Sequence, residues 1–265
     1  MHSLNNKKKI IKMLKDKVGC YPFLAEPFHC DCSKRLMMGH LGNHLLNAAD
    51  FHSSERGFGM AFLNSINKTW VLSRLAIEME EMPPMYAKFN VETWVESAMR
   101  FFTNRNFKVV DSDNGKVYGY GRSVWAMIDT ETRQPADLLG INKGTLSDYV
   151  EKGKECPIAK SSRVNVGAEA PMVGSFLVKY TDIDINGHLN SVKYIEHVLD
   201  LFDLDWHNSH PVRRLEIAYV AEAHCGDTVN VYREKAEEDT WHFRLCREGQ
   251  DGQDEVEICR TLVKF

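Results

Sequence analysis

The residues best suited to chemistry lie together in the second half of the chain. The run Tyr180-Thr181-Asp182-Ile183-Asp184-Ile185-Asn186-Gly187-His188-Leu189-Asn190 sets Asp184, Asn186 and His188 at alternate positions, just before an apolar-periodic stretch. A loop feeding a helix offers unpaired backbone N–H groups and the positive end of the helix dipole. A carbonyl attacked there develops an oxyanion, which such donors stabilise. Gly187 lets a substrate approach the backbone. Asn186 supplies a donor and an acceptor, and His188 exchanges protons near neutral pH. Asp184 could orient the histidine or a water. Glu222, at the end of the run EIAYVAE, is a candidate general base.

Each residue also has an ordinary reading. Asp, Asn and Gly before a helix are what capping uses. His188 alone suits a structural role, and Glu222 alone suits a solvated strand end. Other combinations carry less. His40 and His44 share a helix face, as in zinc-binding helices, but no glutamate of the HExxH kind lies between them and no third ligand is evident. Cys225 with His188 and Asn186 could make a papain-like nucleophilic set, on one cysteine among seven. There is no Walker loop and no GxGxxG, so nucleotide cofactors are not expected.

The elements that must position the run occur twice. In the first half a helix is expected from Met37 to Phe51, with Met38, Leu41, Leu45, Ala48 and Ala49 inward. Strands follow in WVLSRLAIEME, KFNVETWVES and the stretch from Arg105, which holds an Asp113-Asn114-Gly115 hairpin signal. In the second half VGSFLVKY reads as a strand and Asn190 as an N-cap. The helix VKYIEHVLDLF follows, then the strands RRLEIAYVAE, DTVNVYRE, TWHFRLCRE and EICRTLVKF, with turns at Gly226-Asp227 and Gln250-Asp251-Gly252. A shift of 153 (188 minus 35) lays Asp31 on Asp184, Leu36 on Leu189 and His44 on His197. The first half then offers Asp31, Ser33 and Arg35. A strand shift of 140 (214 minus 74) sets Met82 opposite Glu222. One copy keeps a polar set that the other lacks, so one chemical site per chain is expected.

These elements predict an α+β fold of two tandem hotdog domains, each a long central helix wrapped by an antiparallel sheet. The two units are expected to bury each other's sheets, leaving clefts for an extended apolar ligand. The expected organisation is a basic tail over 1–17, one domain over 18–140, a linker without periodicity over 141–170, and the second domain over 171–265. An apolar share of 43% supplies a core, and no run approaches the roughly 20 apolar residues of a membrane span. The basic tail lacks the h-region of a signal peptide. A net charge of −4 argues against nucleic acid as a partner. Seven scattered cysteines without a CxxC pair suit a reducing, cytoplasmic setting.

The same residues resemble the acyl-ACP thioesterase family of plants and bacteria. DIDINGHLNSVKYIEHVLD is similar to that family's D-x-D-x-N-x-H-x-N-N-x-K-Y run. WVLSRLAIEMEEMP and RSVWAMIDTETRQPADL resemble its first-half strands, including a Trp-x-x-x-(Asp)-x-x-Thr-Arg stretch, and the likeness spans about Tyr21 to Phe265. The resemblance implies a double hotdog that hydrolyses acyl-ACP to free fatty acid and ACP in fatty acid biosynthesis, with no metal or organic cofactor. Its catalytic aspartate, asparagine and histidine match Asp184, Asn186 and His188, and its strand glutamate matches Glu222. Plant members carry a cysteine directly after that glutamate. Here Ala223 follows and Cys225 lies two residues later, so direct attack by water is expected rather than a cysteine acyl-enzyme. The first half is expected to shape the acyl tunnel. Acidic ACP should dock on a basic patch drawn from Lys160, Arg163, Lys193, Arg213 and Arg214. The alternatives are an acyl-CoA thioesterase, a 3-hydroxyacyl-thioester dehydratase and a non-catalytic acyl-thioester sensor. Chain length, ACP-versus-CoA preference and pairing into a homodimer stay open.

Overall fold

The structure is a computed structural model describing residues 15–249 and 253–265. Most of the basic tail and the Gln250-Asp251-Gly252 turn lie outside the described residues. Strand β1 (Val18–Leu24) passes through a 3-10 turn at Pro27–His29 into α1 (Met38–Glu55). A short α2 (Met60–Asn64) precedes β2 (Lys68–Met79), β3 (Lys88–Ala98), β4 (Phe102–Asp111) and β5 (Val117–Asp129). The order then repeats as β6 (Met172–Leu177), a 3-10 turn at Tyr180–Asp182, α3 (Ser191–Leu199), α4 (Leu204–Ser209), β7 (Arg214–Tyr219), β8 (Thr228–Glu237), β9 (Thr240–Arg247) and β10 (Val256–Lys264). The second-half helix stops short of its expected Phe202. Asp203 starts α4 there, its carboxylate accepting the Trp206 N–H at 2.8 Å. Among the described residues no helix is long and apolar enough to cross a membrane.

All ten strands form one sheet, ordered β1-β3-β4-β5-β2-β7-β10-β9-β8-β6. This corrects the expectation that the halves bury each other's sheets. They join edge to edge instead, Arg74–Glu78 of β2 pairing antiparallel with Arg214–Ala218 of β7. Each of these strands would be an edge of its own half's sheet, and the edge of the other half satisfies its row of N–H and C=O groups. Ala76 lies directly opposite Glu216. Those are the residues that the shift of 140 makes equivalent, so a local twofold axis passes between them.

Both long helices lie on the inner face of this sheet. Leu41, Leu45, Ala48 and Ala49 of α1 are buried with Leu75, Ile77, Phe89 and Phe107 below them. Tyr194, Ile195 and Val198 of α3 join the same core with Ile217, Phe243 and Ile258. Each fully buried aliphatic side chain contributes about 2 kcal/mol. The helices touch at glycine, where a Cβ on Gly42 would sit 3.1 Å from Val192 and one on Gly39 would sit 2.8 Å from Glu196.

The segment expected as a linker is packed down on the outer face. After 3-10 turns at Ile141–Tyr149 it runs extended across strands of both halves. Trp94 Nε1 donates to Lys154 O at 3.1 Å and Arg122 to Cys156 O at 2.7 Å. Ser162 Oγ donates to Glu216 at 2.8 Å, and Arg260 Nη1 to Val164 O at 3.0 Å. This strap therefore crosses the β2–β7 seam.

Candidate active site

Asp184 builds the loop that presents the other candidates. Its Oδ1 accepts the backbone N–H groups of Asn186 (2.8 Å) and His188 (3.3 Å), and its own N–H donates to His188 O (2.9 Å). Gly187 closes the turn at φ 81°, a conformation that suits a residue without Cβ. Leu189 N–H donates to Ala223 O at 2.7 Å, which fastens the loop beside the chain leaving β7. The imidazole of His188 is thereby brought to Glu222, Nε2 to Oε2, at 3.4 Å. The other oxygen of Glu222 accepts from Arg133 Nη2 at 2.5 Å. Arg133 stands just after β5, so the first half holds a carboxylate of the second.

The remaining candidates fall into place unequally. Asp184 does not orient the imidazole: its carboxylate serves backbone amides, and among the described residues no hydrogen bond joins it to the His188 ring. Asn186 is exposed at the site, its side-chain amide unengaged among the described residues. In the first turn of α3, Asn190 Oδ1 takes the Val192 N–H at 3.2 Å and Asn190 O takes the Lys193 N–H at 2.8 Å. Ser191 N–H is left without a partner among the described residues. Cys225 is exposed and lines the same site, with no hydrogen bond to His188 or Asn186 among the described residues. His40 and His44 sit apart from it, His40 stacked on His29 with ring centroids 4.1 Å apart. Burial holds His44 down at about 4.

The site opens into a cavity of about 980 Å³. Asn186, His188, Ser191, Glu222 and Cys225 line one end, and Leu46, Trp70, Leu72, Val95 and Trp125 carry it into the first half. That volume falls at the upper end of small-molecule sites, as an extended ligand requires. Tyr219 hydroxyl donates to Ser191 O at 2.8 Å, and burial keeps that phenol neutral.

Sequence reasoning missed two neighbours. Arg133 lies in the Thr-Arg stretch, which carried the resemblance without a role, and His224 packs edge-on to His188 with centroids 5.0 Å apart. His188, Glu222 and His224 could each offer one ligand atom to a cation, within 4.8 Å of one another. Arg133 already occupies one Glu222 oxygen and opposes a cation electrostatically. The expected basic patch is also reduced. Arg214 is spent on Glu78 (2.5 Å) and Glu216 (2.8 Å), Lys193 on Glu196 (2.6 Å), and Arg213 on Glu80 O. Lys160 and Arg163 remain exposed.

Comparison with known proteins bears on the fold and the family. The family model described as the acyl-ACP thioesterase N-terminal domain matches residues 23–140, and that of the C-terminal domain matches 167–262. An oleoyl-acyl carrier protein thioesterase of Arabidopsis thaliana is 24% identical over 78% of this chain, and a dodecanoyl-[acyl-carrier-protein] hydrolase of Cinnamomum camphora is 26% identical over 68%. The matched region spans 61% and 50% of those two proteins. A crystal structure of an acyl-ACP thioesterase from Bacteroides thetaiotaomicron is 50% identical, covering 94% of this chain and 98% of that one with a TM-score of 0.86. The 12:0-ACP thioesterase from Umbellularia californica, at 19% identity, shares the fold with a TM-score of 0.79 over 95% of this chain and 98% of its own. The chain is a double hotdog, and it belongs to the acyl-ACP thioesterase family.

Proposed function

We propose that the protein hydrolyses fatty acyl thioesters carried on ACP, releasing free fatty acid and the carrier thiol in fatty acid biosynthesis. The observation that carries this reading is the His188–Glu222 pair, 3.4 Å apart at the mouth of a cavity that runs into the first half. Residues 18–140 then select the acyl chain and 171–265 supply the chemistry. Water attacks the thioester carbonyl, Glu222 and His188 take its proton, and the C–S bond breaks as that proton passes to the leaving thiolate. Asn186 Nδ2 and the Ser191 N–H are the donors suited to the oxyanion. Arg133 holds Glu222 from its far side, and Asp184 holds the loop. Among the described residues Cys225 has no base in hydrogen-bond contact, which disfavours it as nucleophile. Seven free thiols suit a reducing cytoplasm.

Thiol release from a panel of acyl-ACPs and acyl-CoAs tests the reading. Turnover should survive Cys225→Ser and collapse in folded Glu222→Ala and His188→Ala. Binding of acyl thioesters by wild type without thiol release would replace hydrolysis with a sensing or dehydratase role.

A further inference from the structure

The cavity is lined by a buried charge that hydrolysis does not use. Arg105 in β4 lies opposite Ser123, Ser123 opposite Leu75, and Leu75 opposite Ile217, which makes one row across the inner face of the sheet. Leu75 and Ile217 in that row are core residues, whereas Arg105 is a cation only 6% exposed. Its Nη1 donates to Thr93 Oγ1 at 3.2 Å and its Nη2 to Ser53 Oγ at 3.1 Å. A guanidinium has five N–H donors, so three are left over. Among the described residues no carboxylate stands within ion-pair contact of it, and burial lowers its pKa to about 10. Arg105 and Asp50 both line the cavity, and the Asp50 carboxylate has no hydrogen bond among the described residues. Burial raises the Asp50 pKa while the charge of Arg105 opposes that shift. Three strand spacings, roughly 14 Å, separate Arg105's strand β4 from β7, the strand that leads to Glu222.

A methyl-ended chain reaching this depth would satisfy neither group. A carboxylate would suit Arg105 but meet Asp50 as a like charge. A hydroxyl fits both, accepting from Arg105 and donating to Asp50. We infer that the cavity favours acyl chains carrying a hydroxyl group near the end remote from the thioester, recognised by Arg105 and Asp50. This rests on the thioesterase reading and names its substrate class.

The test uses the full chain with matched acyl-ACPs, plain and terminally hydroxylated, at even lengths from octanoyl to hexadecanoyl. At the best-fitting length the hydroxylated substrate should have a kcat/KM about tenfold above its plain partner. Arg105→Met and Asp50→Leu should each abolish that preference, chiefly through KM, while Arg105→Lys keeps part of it. Plain chains matching or exceeding hydroxylated ones at every length would overturn the inference, as would a preference unchanged in Arg105→Met. Calorimetric binding of the free hydroxy acid and the plain acid to wild type guards against a variant that fails to fold, and equal affinities also overturn it. If no thioester releases thiol, the hydrolase reading fails, and this binding comparison still decides the hydroxyl site.

Discussion

In the first half Asp31 Oδ1 accepts the N–H groups of Ser33 (2.9 Å) and Arg35 (3.2 Å), just as Asp184 Oδ1 accepts those of Asn186 and His188 in the second. Lys34 takes a positive φ of 60° where Gly187 takes 81°. Leu36 N–H donates to Pro83 O at 2.9 Å, the counterpart of Leu189 with Ala223. Even the His188–Glu222 contact has an image: Arg35 Nη1 donates to Met82 O at 2.9 Å at the equivalent place. The two loops share a backbone and differ in cargo. The aspartate belongs to the architecture, since both copies keep it for the same amides. The proposed chemistry falls to the three side chains that differ.

That comparison can be broken by writing one loop into the other. Glu222→Met or His188→Arg, each borrowing the first-half residue, should lower kcat about 1,000-fold while the loop and its melting temperature survive. Asn186→Ser should cost about 100-fold if its amide faces the oxyanion, and an unchanged rate would remove it from the site. Arg133→Gln should lower kcat about tenfold with KM nearly constant, and Arg133→Lys should restore part of the loss. A shift confined to KM would make Arg133 a binding residue. Asp31→Ala and Asp184→Ala should each cost about 1 kcal/mol in denaturant melts, but only the second should also slow turnover. The last effect concerns the α1 imidazoles. Burial holds His44 at about 4 and His52 at about 2, below the ordinary 6.5. Their neutral forms favour the fold, so stability is whole above pH 6.5 and is lost as pH falls through 4. Between pH 7 and 4.5 the melting temperature should drop by roughly 5 °C, and His44→Phe should flatten that slope.

What the sequence disclosed was local. The long α1 pattern, the Asp113-Asn114-Gly115 hairpin and the loop before α3 are written in spacings of a few residues, where periodicity and turn chemistry act. Helices α2 and α4, of five and six residues, are too short to display a period. The strap has none because its partners are side chains of the sheet beneath it. The β2–β7 seam escaped for another reason, that edge and central strands alternate alike. Of the candidate site, His188 and Glu222 were legible through the imperfect repeat. Arg133, 89 positions from the glutamate it holds, was not. Arg105 read only as the first residue of a strand run, since nothing in its neighbours signals that its head stays indoors.

The seam has a consequence for how the chain is made. Once β5 has left the ribosome, β2 is complete on one side, and β7 lies about 90 residues further on (219 minus 129). Translation takes roughly 5 to 20 s to cover that distance. Throughout that interval Arg74–Glu78 is an open edge. Two nascent first halves meeting there in the native register would set Arg74 of each opposite Glu78 of the other, a favourable pairing. Charge therefore provides no barrier to self-association at this edge. Once β7 emerges, protection comes from tethering: the strap keeps β7 at a high local concentration beside its own β2, which a second chain in dilute solution does not match.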